Sequence, residues 1–236
     1  MKDCRINSFQ SLGTVDGPGV RCVVFMQGCP LRCHCCHNPE TWDLSGGEVI
    51  SSSQLLHKII RCKSYFGNKG GVTFSGGEPL VQSEFLLEFI PLLKSEGIHV
   101  CIDTSGCILN ESAKKVIELC DLVLLDYKYT NVNDYKKYTG MDLTKTDEFL
   151  SFLNRIGKPT WISQVIIPDV NDNEASLRLL AELKNKYSCI EKFELLPFRK
   201  LCIEKYKNLS LNFPFENIRE ATKEDIENCK KLASFT

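Results

Sequence analysis

What this 236-residue chain lacks narrows it first. No apolar run approaches the roughly 20 residues a helix needs to cross a bilayer. The start, Met1-Lys2-Asp3-Cys4-Arg5, runs into polar sequence without the apolar core of a secretory signal, so a cytoplasmic location is expected. Lys and Arg (29) nearly balance Asp and Glu (30), and no basic block stands out. Nucleic acid is therefore not the expected main partner, while a small anionic ligand is compatible with this balance. Low-complexity tracts, internal repeats and long linkers are missing too. The length suits one large α/β domain or two small ones.

Cysteine, by contrast, is plentiful, at 13 residues. A secreted disulfide framework is the common reason for such richness, but those chains are short and carry even numbers of cysteines. A reducing cytosol fits better, and so many thiols suit life without oxygen. Cys22, Cys62, Cys101, Cys120, Cys189 and Cys229 lie in apolar segments and read as small core residues. Cys29, Cys33 and Cys36 differ. They are spaced Cys-x3-Cys-x2-Cys and directly follow the apolar run Val20–Phe25. Three thiolates can hold three corners of a four-iron, four-sulfur cube and leave one iron open for a substrate. Zinc held by these three with His37 or Cys35 is one alternative, although four ligands within nine residues are cramped and no second ligand doublet appears. A plain group of buried thiols is another.

Short Val-, Ile-, Leu- and Phe-rich runs at 20–27, 72–75, 99–103, 122–126, 161–167 and 193–196 read as strands buried on both faces. Stretches of helical periodicity at 53–65, 84–95, 111–120 and 175–186 separate them. After Lys205 a loop containing Pro214 precedes a last helix over 223–233, with Thr222 as its N-cap. Alternating strand and helix implies a parallel sheet with right-handed crossovers. Six units fall short of an eight-unit barrel, so the expected fold is an incomplete barrel or strongly curved open sheet, with a doubly wound sheet as the alternative.

The unusual polar residues cluster where strands end. The cysteine triplet follows the first run, Gly76-Gly77-Glu78-Pro79 the second, and Asp103-Thr104 ends the third. Asp126 ends the fourth with Lys128 just beyond, and Arg199 follows the sixth. In parallel α/β folds ligands bind at the carboxyl ends of strands. Each residue also has a plainer reading: a glycine turn, strand-end aspartates, a surface cation. Glycines let backbone approach a ligand, paired aspartates hold a cation or a ribose, and Lys128 offers charge to a carboxylate. The loop Gly13–Gly19 is glycine-rich but lacks the strand-loop-helix order of a phosphate loop.

Together these motifs resemble the radical S-adenosylmethionine (SAM) superfamily, whose most specific marks are the triplet after the first strand and the Gly-Gly-Glu-Pro turn after the second. Asp16-Gly17-Pro18-Gly19-Val20-Arg21, Gln27-Gly28-Cys29, Cys36-His37-Asn38-Pro39-Glu40-Thr41-Trp42, Asp103-Thr104-Ser105-Gly106 and Asp126-Tyr127-Lys128 are similar to the glycyl radical enzyme activases within it, those of pyruvate formate-lyase above all. The resemblance spans nearly the whole chain and weakens after Lys200. It implies a single radical SAM domain over 1–236, a partial (β/α)6 barrel with its core over 15–200 and a C-terminal extension over 201–236. It implies a 4Fe–4S cluster on Cys29, Cys33 and Cys36, and SAM against Cys35, Cys36, His37, Gly76, Gly77, Glu78, Asp126, Tyr127 and Lys128. It also implies a monovalent cation on Asp103 and Asp126, with Asp16 facing the glycine loop of the partner. That partner would be pyruvate formate-lyase or a related glycyl radical enzyme, the electron donor a flavodoxin or ferredoxin, and the activase a monomer.

Three positions depart from the pattern. Cys35 stands where the family usually has an aromatic residue. Arg199 follows Leu196-Pro197-Phe198 where His is frequent, and Ser163 occupies a position that often carries Arg. Arg199 is expected to supply the charge missing at Ser163, and hence to contact SAM. Activases with extra clusters insert a cysteine-rich domain between triplet and Gly-Gly-Glu turn. Here that interval holds only Cys62, which favours pyruvate formate-lyase as the partner. A single-cluster activase of another glycyl radical enzyme is the near rival, and a non-catalytic zinc-binding interaction protein the distant one.

Overall fold

The computed structural model describes residues 2–233, so the last residues of the C-terminal extension, 234–236, lie outside it. The chain divides into two compact units. The first holds residues 1–30, 40–104 and 108–124, and the second 31–39, 105–107 and 125–236.

In the first unit, β1 (Cys4–Gly13) runs antiparallel to β2 (Arg21–Met26) and to the three-residue β3 (Glu48–Ile50). β2 is parallel to β4 (Gly71–Gly76), and β4 to β5 (His99–Thr104). The strand order is β3-β1-β2-β4-β5, followed by β6 (Leu122–Asp126), which opens in this unit and ends in the other. Cys22, Val23, Val24, Val72, Phe74, Val100, Cys101 and Ile102 are all fully buried, as continuous apolar runs demand. Helices α1 (Ser52–Ile60), α2 (Ser83–Ser95) and α3 (Glu111–Leu119) follow β3, β4 and β5. Ser51 and Gln54 form a capping box on α1, and Asn110 caps α3.

In the second unit β6 is followed by β7 (Thr160–Ile166) and β8 (Ile190–Pro197), the last two parallel. Around them lie α4 (Val132–Thr139), α5 (Leu143–Arg155), α6 (Glu174–Lys186), α7 (Ile203–Asn208) and α8 (Lys223–Leu232). Asn131 caps α4, which stops at Gly140 in the left-handed conformation, φ 76°. Thr222 caps α8 as expected, in a capping box with Asp225.

All six expected parallel strands form. β1 and β3 were not foreseen, because β1 alternates poorly between buried and exposed positions and β3 is too short to show a period. Nor were α4 and α5, which fill 132–155. The segment after Lys205 is helical through Asn208 before the loop begins, which corrects the expectation of a loop from that point. The six cysteines read as core residues are all buried.

Candidate functional site

In the first unit the end of β2 and the turn after β4 are laced together by main chain. Met26 pairs with Gly76 in register. Gly77 N donates to Met26 O at 3.0 Å, and Glu78 N to Gly28 O at 2.8 Å. The glycines make this possible. Gly76 adopts φ +103°, and a Cβ there would stand 2.5 Å from Met26 N. A Cβ on Gly77 would stand 2.3 Å from Gly28 O. Missing side chains were expected to admit a ligand; the approach they admit here is that of the backbone leading into Cys29. Gln27, also buried, ties the same segment down by donating to Glu40 O at 3.0 Å and Asp43 O at 2.7 Å. The Glu78 carboxylate is buried and accepts from Leu80 N at 3.2 Å and Thr104 Oγ1 at 2.7 Å. It therefore builds the turn. Asp103, at the end of β5, accepts from Ser75 Oγ at 2.6 Å.

Asp16 is placed otherwise. Its loop joins β1 to β2 at the N-terminal ends of β2, β4 and β5, where Arg21, Gly71 and His99 lie in register. Cys29 and Gly76 lie at the other end. Thr73 Oγ1 donates to Asp16 O at 2.6 Å, and the fully buried Arg21 donates to Thr73 Oγ1, Pro18 O and Val72 O. Burial raises the Asp16 carboxyl above the ordinary aspartate value, against the pull of Arg21.

In the second unit the loop bearing Cys33, Cys35 and Cys36 is pinned to the end of α4. Arg32 N donates to Thr139 O and His34 N to Tyr138 O, each at 2.9 Å. Cys36 N donates to Cys33 O at 3.1 Å, and Asn38 N to Cys36 Sγ at 3.4 Å. His37 Nε2 donates to Arg199 O at 2.8 Å. Lys205 of α7 donates to Asn38 Oδ1 at 2.7 Å. Asp126 and Lys128 form an ion pair at 2.5 Å. Burial opposes the Lys128 charge, but Asp126 and the Cys33 and Cys35 sulfurs outweigh it and hold the ammonium well above the usual lysine range. Burial pushes the Cys35 thiol up to about 12, with Lys128 opposing.

Two expected residues turn elsewhere. The Tyr127 phenol donates to Asp147 on α5 at 2.5 Å, while its neighbours Asp126 and Lys128 pair with each other. The Arg199 guanidinium donates to Ala221 O at 2.5 Å and lies 3.9 Å from Glu220. Arg199 meets His37 through its carbonyl, and its charge is engaged by the C-terminal segment.

A feature the sequence reading missed is an aromatic shell around this loop. The His34 ring packs edge-on against Tyr138 and Phe215, both at 5.4 Å. Tyr138 contacts Tyr129 at 5.2 Å, and Phe215 contacts Phe198 at 6.0 Å. Phe213 joins Phe198 at 6.2 Å to Tyr206 at 5.0 Å. The signal was present as Tyr129 two residues beyond Tyr127 and as the Phe213-Pro214-Phe215 step in the tail, both aromatic and without helical or strand period.

The donor set fits an iron–sulfur cluster. It offers three thiols, Cys29, Cys33 and Cys36, with the half-buried Lys128 ammonium beside the Cys33 sulfur, an environment that favours anionic sulfur. Among the described residues no three His, Cys, Asp or Glu side chains are arranged to hold a single metal ion.

The fold is shared with solved structures at low sequence identity. A radical SAM methyltransferase from Sphaerobacter thermophilus superposes with TM-score 0.66 over 91% of this chain and 63% of its own, at 15% identity. SuiB from Streptococcus suis, solved with S-adenosylmethionine bound, gives 0.64 over 87% and 44%, at 14% identity. This is the radical SAM fold, the open α/β architecture of an incomplete barrel. A family model described as a 4Fe-4S single cluster domain matches residues 15–145. The pyruvate formate-lyase-activating enzyme of Clostridium pasteurianum is 43% identical over 228 residues, 96% of this chain and 95% of that one. The chain belongs to the family of pyruvate formate-lyase-activating enzymes.

Proposed function

We propose that this chain installs a glycyl radical on pyruvate formate-lyase, and that Cys29, Cys33 and Cys36 hold the 4Fe–4S cluster with which it does so. The observation that carries the reading is the likeness to activating enzymes along nearly the full chain, with too few cysteines between Cys36 and Gly76 for further clusters. When bound, the cluster supplies one electron to SAM, whose carbon–sulfur bond breaks to give methionine and the 5′-deoxyadenosyl radical that takes a hydrogen atom from the partner's glycine Cα.

The chain's residues position and shield that chemistry. Gly76 and Gly77 fix the backbone into Cys29, and Glu78 locks their turn. Cys35, Cys36, His37, Asp126, Lys128 and the backbones of Tyr127 and Arg199 line the SAM side. Asp103 and Asp126 supply oxygens for a monovalent cation. Asp16, at the opposite end of the strands from Cys29, would meet the glycine loop only away from the reacting Cα, which the absence of a side chain leaves accessible. The electron comes from a flavodoxin or ferredoxin, and the activase works as a cytoplasmic monomer.

Anaerobic reconstitution tests the reading. The expected product is a brown protein with about four irons that releases 5′-deoxyadenosine only when reduced. Mixing with pyruvate formate-lyase should yield a glycyl radical by electron paramagnetic resonance. A colourless protein holding one zinc would sink the proposal. A radical on another glycyl radical enzyme but not on pyruvate formate-lyase would reassign the partner.

A further inference from the structure

Arg21 is among the largest fully buried side chains of the protein, and no carboxylate is among its hydrogen-bond partners. Nε donates to Thr73 Oγ1 at 2.7 Å and Nη1 to Pro18 O at 3.0 Å. Nη2 donates to Val72 O at 2.7 Å and His99 O at 3.2 Å, and meets His99 Nδ1 at 3.2 Å. Arginine has no acceptor, so that ring nitrogen takes the bond through its lone pair. Tying the starting ends of β2, β4 and β5 together does not need a cation. An apolar side chain of similar volume does so without burying a charge. What the guanidinium adds is directed bonding to the loop before β2. It holds Pro18 O directly. It holds Asp16 O through Thr73, whose hydroxyl accepts from Arg21 and donates to that carbonyl at 2.6 Å, and bonds in such a chain strengthen one another. Gly17, between them, rests on the same side chain. Its φ is +119°, and a Cβ there would stand 3.2 Å from Arg21 Cδ and 3.3 Å from Cys101 Sγ. One buried cation thus sets three successive loop residues.

We propose that Arg21, acting through Thr73, is a positioning residue for the glycyl radical partner: it presets the Asp16-Gly17-Pro18 backbone in the shape the partner's loop meets. The inference rests on the reading of Asp16 above. It adds the device that fixes Asp16 before the partner arrives, so that less order has to be gained on binding.

Thr73→Val removes the hydroxyl between Arg21 and Asp16 at nearly constant shape, and Thr73→Ser keeps it. In reconstituted full-length enzyme, Thr73→Val should raise the KM for pyruvate formate-lyase in glycyl radical formation several-fold with little change in kcat, and Thr73→Ser should restore the KM. A brace for the strands alone would lower stability and leave the KM where it was. An unchanged KM in Thr73→Val would overturn the proposal, as would an equal rise in Thr73→Ser. A second measurement needs neither cluster nor partner. Amide hydrogen exchange in the iron-free full-length chain, read by mass spectrometry, should quicken several-fold over residues 13–19 in Thr73→Val. The same is expected of Arg21→Lys, whose ammonium lacks the planar fork, while α3 keeps its rate. Unchanged exchange in that loop would also overturn the proposal. If the unaltered chain activates no glycyl radical enzyme, the reading of its function fails, and the exchange rates still decide whether Arg21 and Thr73 set the loop.

Discussion

Glu78 shows how a residue can belong to a functional motif for a structural reason. Its carboxylate is buried and closes the turn on Leu80 N and Thr104 Oγ1. Glu78→Ala removes the acceptor that both donors use and should cost about 1–3 kcal/mol, read as a lower urea midpoint at unchanged m-value. Glu78→Gln keeps an acceptor and should recover part of the loss. The cysteine triplet was legible at this scale because its spacing is chemistry that no other need imposes. The division of labour across Asp126-Tyr127-Lys128-Tyr129 was not. Tyr127 reaches α5 there, while Asp126 and Lys128 pair with each other and the Tyr129 ring packs on Tyr138. A family pattern lists such residues together; only coordinates separate them.

Among elements, the contact between the β4 turn and the backbone entering Cys29 is the most exacting. Gly77→Ala puts a Cβ 2.3 Å from Gly28 O, and backbone must move to relieve it. The expected outcome is a destabilisation of about 1–3 kcal/mol together with reduced iron uptake on reconstitution. A further element-level contact is pH-dependent. Asp121, just before β6, pairs with Lys94 of α2 and accepts from Val100 N at 2.8 Å. Burial opposes its charge, but these partners more than offset it and hold the carboxyl below its ordinary value of 3.8. Because the folded value is depressed, this contribution is intact above 3.8 and fades as pH falls below it. Asp121→Asn should therefore lower stability at neutral pH and flatten the acid side of the stability profile, measured by denaturant titration.

The parallel strands were legible because each is an apolar run bounded by turn residues. α4 was not, because in Val132–Thr139 only Tyr135 and Thr139 are buried, too few to set a period. Its ends did carry signals, Asn131 as cap and Gly140 as stop. These weigh little until a helix is suspected between them.

At the scale of the whole molecule, the thirteen cysteines sort by exposure. Ten are buried, and Cys29, Cys35 and Cys36 are partly exposed. A thiol reagent applied to iron-free native protein under anaerobic conditions should react promptly with Cys29 and Cys36 and more slowly with Cys35. The remainder should appear only on unfolding, and thirteen thiols should be counted in denaturant. A formal net charge of −1 provides little long-range steering, so activation of the partner should vary only weakly with ionic strength. The sequence identified the class of chemistry because a few residues carry it. It did not reveal the aromatic shell, because Tyr129, Tyr138, Phe198 and Phe215 come from four separate segments, and nothing along the chain marks their meeting.

The buried thiols also constrain how the protein can be re-engineered for handling in air. Exchanging cysteine for serine is the habitual remedy, since the two have nearly the same shape. Cys22, Cys101 and Cys202 are fully enclosed, however, and a buried hydroxyl is more costly than a buried sulfur wherever its hydrogen bond is missing. At about 1–3 kcal/mol for each unsatisfied hydroxyl, replacing the nine buried cysteines other than Cys33 would exhaust the roughly 5–15 kcal/mol that holds a domain folded. An oxidation-resistant version of this chain has to be written in alanine and valine.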